Sequence, residues 1–140
     1  MANTTVSLNH EGAVYSDGKD AIVVTRMVAD LPGGASLDVT GFTAPYIRKG
    51  HIIIKETETG KYKPLGVTEE GAYVTLPEKH EYFGVAGDTV LTARPLVGII
   101  TAGQINAAAS PYPVTSAIAE GLPRIEFLYR KAEATTEPGA

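Results

Sequence analysis

Between Arg94 and Glu120 the chain runs for 25 residues, Pro95 to Ala119, without an Asp, Glu, Lys, Arg or His. The sequence as a whole is 20% charged, so about five such residues are expected in a stretch of that length. Such a segment has three destinations: a bilayer, the protein's own core, or a surface that another protein covers. A spanning helix is excluded. Pro95, Pro111 and Pro113, with Gly98, Gly103, Gln104 and Asn106, cut the stretch into apolar pieces far shorter than the about 20 residues that cross a membrane. Core and interface both remain, and each demands a fold that can place a long uncharged strip away from water.

The length of 140 residues suits one domain, which at this size buries roughly two-thirds of the surface its unfolded chain exposes. With no cysteine there is no disulfide framework, no thiol catalysis and no thiolate metal site. The net charge of −4 is spread without a strongly basic segment, so a nucleic-acid partner is not expected. The opening "MANTTVSLNHEG" lacks the basic and apolar regions of a secretory signal, so the expected place of synthesis is a cytoplasm.

Local patterns are those of short strands punctuated by Gly and Pro. Ala21 to Met27, Ser36 to Thr40, His51 to Ile54, Ala72 to Leu76, Thr89 to Ala93, Leu96 to Ile100 and Ile125 to Tyr129 are β-branched, aromatic or alternating runs of strand length. "KETETGKYKPL" predicts a hairpin turning at Gly60, with Ile54 and Tyr62 on its flanking strands. Helix is favoured only over Ala102 to Ala109 and over Val114 to Glu120, the latter starting after Pro113 and stopping at Gly121. The expected fold is mainly β: a compact β-rich single domain over residues 21–130, barrel-like or a sandwich, with one or two short helices. An extended N-terminal arm over residues 1–20 precedes it, and residues 131–140, without apolar periodicity, are expected to be a disordered C-terminal tail.

The arm offers only Val6, Leu8, Val14 and Tyr15 as sizeable apolar groups, too few for a core. It is either a frayed terminus or a strand added to another chain, with Val6 and Leu8, two apart, forming one face.

Chemistry is sparse. His10, His51 and His80 are scattered without metal-ligand spacing and are expected to be solvated. "GVAGD" at Gly84 to Asp88 lacks the spacing of a phosphate loop and reads as a turn, and no nucleophile elbow surrounds a serine. The pairs Glu56/Glu58 and Glu69/Glu70 sit among hairpin-loop lysines and read as a wet face rather than an acid/base pair. An enzyme built from His51, Asp38 and Glu126 has no support in spacing, and neither a catalytic residue nor a metal or other cofactor is expected. A carbohydrate platform would have to rest on Tyr46, Tyr62, Tyr73, Tyr82 or Tyr112, since there is no tryptophan.

The order of the pieces resembles one family. From Gly50 onward come "GHII", a short turn, "GKYKPL", "YFGVAGD", "PLVGIITAGQIN", a Pro- and Ala-rich part and a closing "GLPRIEFLY". This layout, over about residues 50 to 130, is similar to that of the head decoration proteins of tailed phages, the lambda-type capsid-stabilising family and related auxiliary capsid proteins. Val97-Gly98-Ile99-Ile100 and Gly103-Gln104-Ile105-Asn106 match its "VGI" strand and its return strand.

The resemblance implies a non-enzymatic structural virion protein on the capsid exterior, a homotrimer whose N-terminal segment adds a strand to the major capsid protein, with no nucleic acid, membrane or cofactor. The docking arm would comprise Val6, Leu8, Val14 and Tyr15 and, should it run past Asp20, also Ile22, Val23 and Val24. The uncharged strip then supplies the subunit interface at Gln104, Ile105, Asn106, Tyr112, Val114 and Ile118, because permanent interfaces are depleted of charge at their centres. The alternative is a head-fibre base or adhesin module that binds host glycans through its tyrosines.

Overall fold

The computed structural model describes residues 20–130. The arm positions Val6, Leu8, Val14 and Tyr15, together with His10 and the tail, lie outside the described residues. Within them the protein is mainly β, as expected.

A single helical turn, α1 (Asp20–Val23), leads into β1 (Val24–Asp30), followed by β2 (Ala35–Ser36), β3 (Tyr46–Ile47), β4 (Ile52–Glu56) and β5 (Tyr62–Pro64). Then come β6 (His80–Ala86), β7 (Val90–Leu91), β8 (Leu96–Val97) and β9 (Ile99–Asn106). A 3₁₀ turn (Ala107–Ala109), α2 (Ser116–Gly121) and β10 (Ile125–Leu128) close the chain. The main sheet has the order β1-β9-β6-β4-β5, antiparallel throughout, with β10 added parallel to β9. β6 meets β9 at Ile99 and Ile100, and β10 meets it from Gly103 to Asn106, so these two follow one another along one side of β9 while β1 takes the other. Two short ladders, β2-β8 and β3-β7, complete the domain.

The uncharged segment becomes intelligible here. Consecutive strand residues point to opposite faces, and in β4, β6 and β9 both faces are buried. Ile52, Ile54, Val85, Ile100 and Ile105 join one core with α2 and the 3₁₀ turn, whereas Ile53, Ala86 and Ile99 join a second core with Leu37, Ile47 and Val97. Ile105, Val114 and Ile118 are thus core residues of this chain, exposed by no more than 5%. This corrects the expectation that they face a second subunit, since their side chains have no surface left to offer.

Several local expectations are corrected as well. Ala102 to Asn106 is strand, not helix. Held between β1 and β10, its backbone groups find partners sideways, and the helix preference of alanine, worth only tenths of a kcal/mol per residue, does not compete. Gly103, at φ 151°, lets β1 approach so closely that a Cβ there would run into the carbonyl of Arg26. Only Ala107–Ala109 is helical, a 3₁₀ turn capped by Asn106, whose Oδ1 accepts from the Ala108 N–H at 3.0 Å.

Ala21 to Val23 likewise belongs to α1 rather than to the strand, and the turn seats Val23 over Gly50 beside Pro111. The strand over Ser36 to Thr40 stops at Ser36. Asp38 folds onto Thr40, accepting from its N–H at 3.1 Å and its hydroxyl at 2.7 Å, and so turns the chain away. Of Ala72 to Leu76 only Tyr73 pairs, through a single bridge to Val67, and of Thr89 to Ala93 only Val90–Leu91 is strand. Gly98 divides Leu96 to Ile100 between β8 and β9. The second helix starts two residues later than expected because Thr115 caps it, its Oγ1 accepting from the Ile118 N–H at 3.3 Å. The β4-β5 hairpin forms as read, with Ile54 opposite Lys63, Lys55 opposite Tyr62 and Gly60 at φ 78° in its turn.

Candidate functional site: the open β1 edge

The two ends of the main sheet differ. At the β5 end the Asp38 N–H donates to the Tyr62 carbonyl at 2.8 Å, and Pro64 has no N–H to offer, so this edge is partly closed by the chain itself. β1 at the other end has only β9 beside it among the described residues. Its residues Thr25 to Val28 are all exposed, with Met27 at 55% and Val28 at 64%, and Ile22 just before it is 53% exposed. Two large apolar side chains on one open strand edge, with a third in the turn before it, are the kind of surface that protein partners cover.

The pairing of β1 with β9 is broken by register shifts between Val24 and Arg26, between Met27 and Ala29, and between Ala29 and Asp30. Such bulges increase local twist. Thr25 stitches the strand down, its hydroxyl donating to the Gln104 carbonyl at 3.1 Å. Arg26 and Val28 border a shallow depression of about 280 Å³ floored by Ala102 and Gly103, with Pro123 and Arg124 on its far side. Asp30, Leu31, Tyr82 and Phe83 border an adjoining hollow of about 380 Å³ that shares Pro123 and Arg124. Arg26, Val28 and Asp30 therefore lie along the same face of β1.

The structure divides the expected site residues. Of Ile22, Val23 and Val24, the first is exposed, the second is in the core, and the third is half-buried and pairs with Ile105 of the same chain. Val23 and Val24 are thus committed to this domain and are not part of a free arm. Gln104 and Asn106 are half-buried with internal partners. Gln104 Nε2 donates to Glu126 at 2.9 Å, and Asn106 caps the 3₁₀ turn. Tyr112 is half-buried against His51 and Tyr73, its ring 5.7 Å from the first and 5.3 Å from the second, both edge-on. Sequence reasoning missed Met27 and Val28. Their only signal is that "TRMVAD" carries adjacent apolar residues where one buried face would need alternation.

His51 is the other correction. Rather than solvated, it is 1% exposed, with Phe42, Tyr73 and Tyr112 presented edge-on to its ring at 5.2–5.7 Å. Its Nε2–H donates to the Leu65 carbonyl at 2.8 Å. Burial drives its pKa down to about 4, against a smaller upward pull from that hydrogen bond, so the ring is neutral near pH 7. Tyr73 beside it accepts from the Ile52 N–H at 3.2 Å, and burial raises its phenol pKa. His80 is half-buried, donating from Nδ1 to the Glu78 carbonyl at 2.7 Å and accepting from Lys63 at 3.2 Å.

His51, Asp38 and Glu126 have separate partners, Leu65, Thr40 and Gln104. The hairpin carboxylates pair with lysines, Glu56 with Lys63 and Glu58 with Lys79, each at 3.1 Å. Tyr73 is buried and Tyr62, Tyr82 and Tyr112 are half-buried, while the half-buried Tyr46 carries the Arg48 guanidinium 5.5 Å over its ring. Among the described residues no three His, Cys, Asp or Glu side chains gather to hold a metal, and no helix is long and apolar enough to cross a membrane. No protein-family model, curated protein or solved structure matches this chain.

Proposed function

We propose that the chain is a structural virion protein that decorates the outer surface of a phage capsid and stabilises it, as a homotrimer whose N-terminal segment adds to the major capsid protein. The observation that carries this reading is the open β1 edge with Met27 and Val28 exposed on it and Ile22 exposed in the turn before it, at the point where residues 1–19 join the domain. A cement protein needs contact area and backbone groups ready to be shared, and an unpaired strand provides both. The resemblance of residues 50–130 to the decoration-protein layout supplies the partner, with one departure: Ile99 to Asn106 is a single strand, so Gly103-Gln104-Ile105-Asn106 continues the "VGI" strand and is not the return strand expected of it.

The energetic demand is modest per copy. Covering the exposed half of each of these three side chains is worth about 1 kcal/mol apiece, and repetition over a capsid lattice multiplies a weak contact into a strong one.

The test uses expanded capsids assembled without this protein, from the phage that encodes it. The full chain is expected to co-sediment with them to saturation and to raise the temperature at which they release DNA. Deleting residues 1–20 is expected to abolish binding while leaving the circular dichroism and melting temperature of the domain unchanged. A deleted form that decorates like the full chain would remove the arm from the reading, and a full chain that does not bind capsids would end it.

A further inference from the structure

We propose that β1 is a self-complementary edge through which two copies of the chain join, β1 to β1, antiparallel about a two-fold axis at Val28. β1 carries only two charged residues, Arg26 and Asp30, opposite in sign, four apart and on the same face as Val28. Among the described residues neither has a salt-bridge partner.

Antiparallel pairing about Val28 sets Val28 against Val28 of the second copy and sets Arg26 against its Asp30, once at each end. On the other face Met27 lies against Ala29. Moving the axis to Met27 would put both charges opposite valines, a half-step shift would put Arg26 opposite Ala29, and parallel in-register pairing would oppose like charges. Opposite charges directly across a ladder stabilise it and like charges weaken it, so one register stands out. Beyond Thr25 against Leu31, the second pair outward brings Val24 against Pro32, whose missing N–H ends the ladder there. Both strands carry the same bulges, so their twists agree. The contact buries Val28 and Met27, which the domain leaves in water.

The proposal does not rest on the capsid reading. It competes with that reading for one strand, since a β1 edge paired with a second copy cannot also be offered to the capsid protein, so the pairing applies to copies whose β1 is not bound to a capsid.

Sedimentation velocity of the full chain over a range of concentrations tests it. Wild type is expected to associate in multiples of two of its smallest species. Arg26→Asp and Asp30→Arg, each of which turns two attractions into two repulsions, are expected to weaken that step about tenfold or more. The double variant Arg26→Asp/Asp30→Arg restores the alternation with signs exchanged and is expected to recover association. Val28→Lys, on an exposed site, should abolish the step with the fold intact by circular dichroism. The proposal is overturned if the single reversals leave the association unchanged, if the double variant fails to recover it, or if wild type shows no pairing step. It is also overturned if hydrogen exchange finds the β1 amides that point away from β9 protected in dilute monomer, which would mean that the chain's own residues 1–19 cover the edge.

Discussion

Acidification should destabilise this domain through His51, and the size of the effect follows from the structure. In the folded chain the imidazole is shut among three aromatic rings and its pKa is held at about 4, whereas the unfolded chain returns it to the ordinary 6.5. Between those values the unfolded state binds the proton and the folded state does not, so stability is full above pH 6.5 and falls as pH drops toward 4. A gap of about 2.5 pH units at 1.36 kcal/mol per unit gives about 3 kcal/mol, a large share of the 5–15 kcal/mol typical of a domain. In melting temperature this is roughly 10 °C.

Urea unfolding of wild type and His51→Gln at pH 7, 6, 5 and 4.5 isolates the contribution. The glutamine amide can still donate to Leu65 but does not titrate in this range. Asp38 and Glu56, whose pKa values are lowered by bonds to Thr40 and to Lys63 respectively, are common to both proteins and cancel in the difference. Wild type should lose about 2 kcal/mol more than the variant between pH 7 and pH 5. Parallel declines, or an imidazole NMR signal from His51 that titrates near 6.5 in the folded protein, would refute the argument.

Two further perturbations separate core from surface. Gly103→Ala places a Cβ against the Arg26 carbonyl at a φ that suits glycine. It should cost roughly 2–4 kcal/mol in denaturant unfolding and expose the β1 amides to hydrogen exchange before the rest of the sheet. Ile105→Ala empties a fully buried position between β1 and β10 and should cost about 2–5 kcal/mol in monomer stability. Loss of assembly without loss of stability in that variant would return Ile105 to an interface.

The class of fold was legible because several strands announce themselves by short β-branched runs and because the β4-β5 hairpin has local turn chemistry around Gly60, whereas β3 and β6 went unread and Gly84 to Ala86, expected as a turn, is the buried end of β6. The failures share a cause. Ala102 to Asn106 looked helical because propensity is a property of single residues, while its strand conformation is dictated by two partners, β1 and β10, one of them about 80 residues away in sequence. His51 looked solvated because a lone histidine in a sequence carries no mark of its neighbours. Phe42, Tyr73 and Tyr112 reach it from three separate segments of the chain. The interface expectation for Ile105, Val114 and Ile118 failed because lack of charge reports removal from water and is silent on what does the removing.

That silence also locates the more informative surface. In β9 the apolar residues Ile99, Ile100 and Ile105 are accounted for by the two cores, so they say nothing about partners. In β1 the apolar residues Met27 and Val28 have no such account, because the strand lies at the rim of the sheet and the domain does not bury them. Two charges of opposite sign, without an ion-pair partner among the described residues, flank Val28 at equal spacing on one edge, an arrangement that packing among those residues does not require. A residue whose character the isolated chain leaves unexplained is the better witness to what lies outside it. On that criterion the search for a neighbour moves from the uncharged strip at residues 95–119 to the seven residues of β1.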